Sequence, residues 1–110
     1  MAYTSRVTWE TLRSIDSATF TGSYQALGTA LSNPAYKVKL VNNSSVLVTI
    51  SIDGATDIDV APANSFWLYD ESNSGERGQY PAVRANTQFY VKGSAGTGSV
   101  YLAVQYIVNS

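Results

Sequence analysis

The chain has 110 residues, seven Lys and Arg against eight Asp and Glu for a net charge of −1, and neither cysteine nor histidine. That length fits one domain around one core. The missing residue types exclude disulfides, thiol catalysis, thiolate zinc sites and an imidazole general base. The charge balance provides no long-range field for nucleic acid. Charged residues make up 14% of the chain, well below the roughly 25% of an ordinary globular sequence, while apolar residues reach 45%. That composition argues for a packed core rather than disorder.

Residues 1–22 are polar with isolated apolar positions at Val7, Trp9, Leu12, Ile15 and Phe20. Val7 and Trp9 alternate as in a strand, whereas Leu12 and Ile15 are three apart as in a helix. The surrounding Ser and Thr favour extended or turn backbone, so an extended arm is expected. No apolar stretch in MAYTSRVTWETLR has the length of a secretory signal. No run approaches the roughly 20 residues of a bilayer span. Synthesis in a cytoplasm, without a membrane partner, is the expectation.

Tyr24–Leu27 reads as a short strand closed by Gly28, followed by a loop to Pro34. Tyr36, Val38 and Leu40 alternate with Lys37 and Lys39. Beyond Asn42-Asn43-Ser44-Ser45, Val46, Val48, Ile50 and Ile52 alternate with Leu47, Thr49, Ser51 and Asp53. Two alternating runs about a polar turn predict a β-hairpin with all seven apolar residues on one buried face. The two N-x-S triplets at Asn42 and Asn43 are read as turn residues rather than glycosylation acceptors.

Asp53-Gly54 marks a turn, and Asp57–Val60 a short edge strand stopped by Pro62. Ser65–Asp70 is an aromatic strand with Phe66 and Leu68 on one side and Trp67 and Tyr69 on the other. Glu71–Pro81 is a long exposed loop, and Gln88–Lys92 is a further strand. Gly93–Gly98 is a glycine-rich hairpin turn. Val100–Ile107 closes the chain with Val100, Leu102, Val104 and Tyr106 on one face. Six or seven short strands at this spacing, with no helix pattern, predict an all-β antiparallel sandwich, jelly-roll-like in closure. The division expected is an N-terminal arm over 1–22 and one β-domain over 23–110.

Catalytic and ligand chemistry finds little purchase. Asp53, Asp57 and Asp59 are oxygen ligands on paper, but lack the spacing of a calcium loop; turn and strand positions explain them. Asp70, Glu71 and Glu76 suggest a carboxylate pair, yet sit beside an exposed loop. No S-x-x-K or G-x-S-x-G string accompanies the serines near Lys92. Gly93–Gly98 lacks the Lys-Ser/Thr and following helix of a phosphate loop. The aromatic set Trp67, Tyr69, Tyr90 and Tyr101 leaves three readings open: a second core layer, a protein interface, or a platform for a sugar or base.

The strings Asn33-Pro34-Ala35, Val41-Asn42-Asn43-Ser44, Ile50-Ser51-Ile52-Asp53-Gly54, Leu68-Tyr69-Asp70, Phe89-Tyr90-Val91-Lys92-Gly93-Ser94 and Gly98-Ser99-Val100-Tyr101-Leu102 run through Tyr24–Tyr106. Together they resemble small virion structural proteins of tailed bacteriophages. In size and strand pattern the chain is similar to jelly-roll capsid decoration, or cement, proteins. The resemblance implies a structural protein on the capsid surface, partnered by the major capsid protein and by itself as a homodimer. It implies no enzyme activity, cofactor, metal or nucleic acid. The alternatives are a head–tail or tail component, or a small carbohydrate-binding sandwich. The candidate interface residues are Trp9, Leu12 and Ile15 on the arm with Trp67, Tyr69, Tyr90 and Tyr101 on the domain. The arm is expected to be mobile until docked.

Overall fold

Strict apolar–polar alternation lets a strand bury one face and wet the other, which suits antiparallel sheets stacked in pairs. The computed structural model describes residues 5–35, 37–70 and 83–109, with side chains over 8–35, 37–70 and 83–106. Tyr36 and the loop expected over 71–81 lie outside them. Among the described residues there are nine strands: β1 Ser5–Trp9, β2 Arg13–Asp16, β3 Gln25–Ala26, β4 Lys37–Ser44, β5 Val48–Ser51, β6 Asp59–Ala61, β7 Ser65–Asp70, β8 Tyr90–Lys92 and β9 Gly98–Asn109. A single 3-10 turn, Ser17–Thr19, follows β2.

The strands form two sheets. In one, here sheet A, β1 and β2 lie end to end along β9, which pairs β4, which pairs β7. In the other, sheet B, the order is β3-β8-β5-β6. Every pairing is antiparallel. The pairs β2·β9, β3·β8, β4·β7 and β5·β6 nest like the rungs of one long hairpin. Rolling that ribbon brings β9 against β4 and β8 against β5. This is a jelly-roll sandwich.

The core is the expected alternating set. Val38 and Leu40 of β4, Val48 and Ile50 of β5, Val91 of β8, and Val100, Leu102 and Val104 of β9 are all buried, joined by Phe20, Leu27, Leu31 and Phe89. Two expectations are corrected. The runs on either side of Asn42–Ser45 do not pair: β4 belongs to sheet A and β5 to sheet B, so the link crosses the sandwich. Gly93–Gly98 likewise joins β8 to β9 across the two sheets and is not a hairpin turn. Val38 and Leu40 on sheet A and Val48 and Ile50 on sheet B are buried as expected, but on two facing inner faces and not on one. Val46 is half-buried and Ile52 is 48% exposed. Ile52 falls outside because β5 ends at Ser51, whose buried hydroxyl accepts from the Asp53 and Gly54 amides and turns the chain.

Asn42 makes the β4–β5 crossing. It is fully buried. Its Nδ2 donates to the carbonyls of Val46 (2.8 Å), Ala61 (2.8 Å) and Pro62 (3.1 Å). Its Oδ1 accepts from the Ser44 amide (3.2 Å) and hydroxyl (2.5 Å). One amide thus ties together backbone groups of the crossing and of the end of β6.

The N-terminal segment is extended, and over residues 13–20 it is paired and packed. Five residues from Trp9 to Arg13 oppose four from Gln105 to Leu102, so the strand carries one extra residue as a bulge. There Arg13 turns inward, 7% exposed. It donates to the carbonyls of Thr29 (2.7 Å) and Ala30 (3.0 Å) and to Glu10 (2.8 Å). Glu10 in turn accepts from the amides of Ser32 and Asn33 and from Asn33 Nδ2. Burial alone would raise the Glu10 carboxyl. The bonds from Arg13, Asn33 and Ser32 outweigh it and hold it below the ordinary range.

Candidate interaction surface

The outward residues of sheet A follow from its registers. Tyr101 lies beside Val41, and Val41 beside Phe66. One step along, Ala103 lies beside Lys39, and Lys39 beside Leu68. One step further, Gln105, Lys37 and Asp70 form a polar row, with Trp9 beside Gln105. Leu12, next to the inward Arg13, completes the set. Phe66 is 60% exposed, Trp9 59%, Leu12 58% and Leu68 46%. The result is a broad apolar face on four antiparallel columns, flanked by a polar margin.

Two cations sit on this face. Lys37 pairs with Asp70 at 3.7 Å. Lys39 leans toward β7, its ammonium 5.5 Å from the Phe66 ring centre, a cation–π contact in place of an ion pair. At one end of the face an open hollow of about 300 Å³ is lined by Lys39, Val41, Asn43, Asn64, Phe66 and Tyr101 among others. It is shallow and opens on solvent.

The expected aromatic set does not assemble. Trp67 and Tyr69 face inward against the core, opposite Leu40 and Val38, with Trp67 6.2 Å from Phe89 between ring centres. The Trp67 indole escapes desolvation by donating to Asp59 at 2.6 Å. Tyr90 is on the other sheet, half-buried under the turn at Gly54. Of the four rings, only Tyr101 faces outward on sheet A. Ile15 packs against the core, while Trp9 and Leu12 are exposed. Phe66 and Leu68, which were not among the candidates, take the outward positions on β7. Alternation separates them from Trp67 and Tyr69, but does not say which pair points in.

Sheet B carries a polar cluster on its outer side. The Tyr24 hydroxyl donates to Asp57, Lys92 reaches the same carboxylate at 3.2 Å, and its ammonium lies 4.6 Å above the Tyr24 ring. Burial and the adjacent carboxylate push the Tyr24 hydroxyl up to about 12. The bonds from Tyr24 and Lys92 hold Asp57 low. Asp53 accepts from the Thr56 (2.7 Å) and Ala55 (2.8 Å) amides and from Ser51 (2.8 Å), which holds it well below the usual carboxylate range. Asp53, Asp57 and Asp59 therefore each have separate partners. No three acids converge on one point among the described residues.

No protein-family model matches the chain, and no curated protein matches it. Among solved structures it is similar to the Dit (gp 19.1) protein of phage SPP1, described as a paradigm of the hub adsorption apparatus in phages infecting Gram-positive hosts. The identity is 9% and the TM-score 0.40, over 93% of this chain and 49% of that one. The chain thus spans about half the length of that protein.

Proposed function

We propose that this chain is a non-catalytic structural subunit of a tailed-phage virion, in the role of a capsid decoration protein that ties neighbouring major capsid subunits together. The carrying observation is the apolar outer face of sheet A, with Trp9, Leu12, Phe66 and Leu68 all about half or more exposed. Apolar patches of this breadth on a small domain mark protein contacts. A stiff sandwich of low charge suits dense packing on a shell, where many weak contacts add through multivalency. The sequence resemblance to virion proteins points the same way.

A carbohydrate-binding role loses its main support, because the rings it needs are split between the core and opposite sheets. The test is gold labelling of virions with antibody to the purified chain. Label over the head is the expected result. Label at the neck or tail replaces the decoration role with that of a head–tail or tail component, and unlabelled virions refute both.

A further inference from the structure

β7 is the last strand of sheet A, and among the described residues no strand pairs with its far side. Sheets blunt such edges with short strands, bulges, lysine or proline. The other edges of the two sheets are blunted in this way. β3 has two residues, β6 has three and runs into Pro62, and the β1/β2 edge is broken by its bulge. β7 has six residues in unbroken register with β4, and contains neither lysine nor proline.

The ladder decides which backbone groups of β7 are open. In an antiparallel pair the N–H and C=O of one residue point the same way, and successive residues alternate. The Ser45 N–H donates to the Thr97 carbonyl at 2.9 Å. The register between β4 and β9 continues from there without a break, so Lys39, Val41 and Asn43 turn their backbone groups to β9. Val38, Leu40 and Asn42 turn theirs to β7, where they meet Tyr69, Trp67 and Ser65. Phe66 and Leu68 therefore aim both N–H and C=O out of the sheet into solvent, and their side chains are exposed as well. Donors and acceptors alternating at strand spacing are matched by the backbone of another strand.

Charge sets what that strand carries. Lys37 pairs with Asp70. Lys39 has no carboxylate within ion-pair distance among the described residues, and its ammonium leans over the Phe66 ring toward the edge. A neutral strand laid beside Phe66 would desolvate that ammonium without a partner, whereas a carboxylate there completes it. We infer that the β7 edge accepts an extended strand of a partner polypeptide, added antiparallel, with apolar residues at alternate positions around one Asp or Glu. Residues directly opposite Phe66 and Leu68 share their face, so the apolar side chains extend the outer face of sheet A while the carboxylate sits one strand away from the Lys39 ammonium. The inference goes beyond the proposed role and does not depend on it, since the open edge is read from the backbone whatever protein supplies the strand.

The experiment is an NMR titration of the isotope-labelled full chain with the blocked peptide TVTETVT, which sets valine, glutamate and valine on one face. It runs to about 10 mM, because a single short strand binds weakly. The Phe66 and Leu68 amides should shift, and their hydrogen exchange should slow with saturation, about tenfold when nine-tenths of the chain is bound. The counterpart TVTKTVT should bind several-fold more weakly, and Lys39→Glu should reverse that order. Leu68→Pro removes an outward N–H and leaves the ladder to β4 whole, so it should abolish binding while thermal unfolding shows a folded chain. Methylating the backbone nitrogens of the two valines and the glutamate tests the same bonds from the peptide side, with no change to the protein. No response at Phe66 and Leu68 overturns the inference, as does equal binding by the methylated peptide or by folded Leu68→Pro. A preference unmoved by Lys39→Glu overturns the acidic strand. Protection of these two amides that rises with concentration in the chain alone gives the edge to a second copy, and shifts centred on Trp9 and Leu12 place the peptide on the face; either result overturns the inference. Strand addition with unlabelled virions leaves it standing and removes the proposed function instead.

Discussion

Replacing Asn42 by Ala should be among the most damaging single changes in the protein, although its neighbour Asn43 has the same chemistry. Asn42 is fully buried and Asn43 exposed. Truncating Asn42 removes its hydrogen bonds to the Val46 and Ala61 carbonyls and to the Ser44 amide, at 2.8, 2.8 and 3.2 Å. At about 1 kcal/mol for each buried hydrogen bond lost, the loss is about 3 kcal/mol. That is a large part of the roughly 5–15 kcal/mol that holds a domain together. Asn43→Ala should lie within about 0.5 kcal/mol of wild type. Urea unfolding followed by tryptophan fluorescence measures both, and equal slopes would confirm that only stability has changed. Asn42→Leu separates the causes: it restores volume but no hydrogen bonds, so it should remain nearly as unstable as Asn42→Ala. If Asn42→Ala matches Asn43→Ala, or if Leu restores stability, the hydrogen-bond account of the crossing is refuted.

Deleting residues 1–20 removes β2, the buried Arg13 and the core residue Phe20, and uncovers an edge of β9; the shortened chain should fail to fold by circular dichroism, and a well-dispersed NMR spectrum from it would reinstate a dispensable arm. Gly98→Ala should cost about 2 kcal/mol or more, since φ is +90° and a Cβ would lie 2.2 Å from the Asn43 carbonyl. Gly22→Ala, at φ +88° with open space around it, should cost only about 1 kcal/mol; equal midpoints in thermal unfolding would refute the close approach. Stability should be level at neutral pH and fall as pH drops below about 4.5, because Glu10, Asp53 and Asp57 are held below their ordinary values of 4.5 and 3.8, so the unfolded chain takes up protons first. Tyr24 has the opposite sign: raised from 10.0 to about 12, it holds stability below pH 10 and loses it toward pH 12. Urea midpoints across pH should show both limbs, with Tyr24→Phe abolishing the alkaline one; a midpoint rising on acidification would contradict the Glu10 and Asp53 contacts.

Much of the fold is legible in the chain alone. A period of two assigns each strand residue to one of two sides, so Val38 groups with Leu40, Val48 with Ile50, and Val100 with Leu102 and Val104 by position alone. The division of Phe66 and Leu68 from Trp67 and Tyr69 follows in the same way. Periodicity is blind to partner and to sign. It cannot tell that β4 pairs with β7 and β9 instead of its sequence neighbour β5, because backbone hydrogen bonds carry no side-chain label. Nor can it tell that Trp67 and Tyr69 point inward, since aromatic rings suit either side of a strand. Those choices belong to the two sheets together: the pairings that cover the most apolar area while leaving no backbone group unpaired. Asn42 shows the dependence most clearly. As a residue type it reads as a surface turn, and only when the crossing chain and the end of β6 close around it does its amide become the group that satisfies them. The same holds for Glu10 and Arg13, a polar pair in a polar segment until the 29–33 loop supplies the carbonyls and amides that make their burial tolerable.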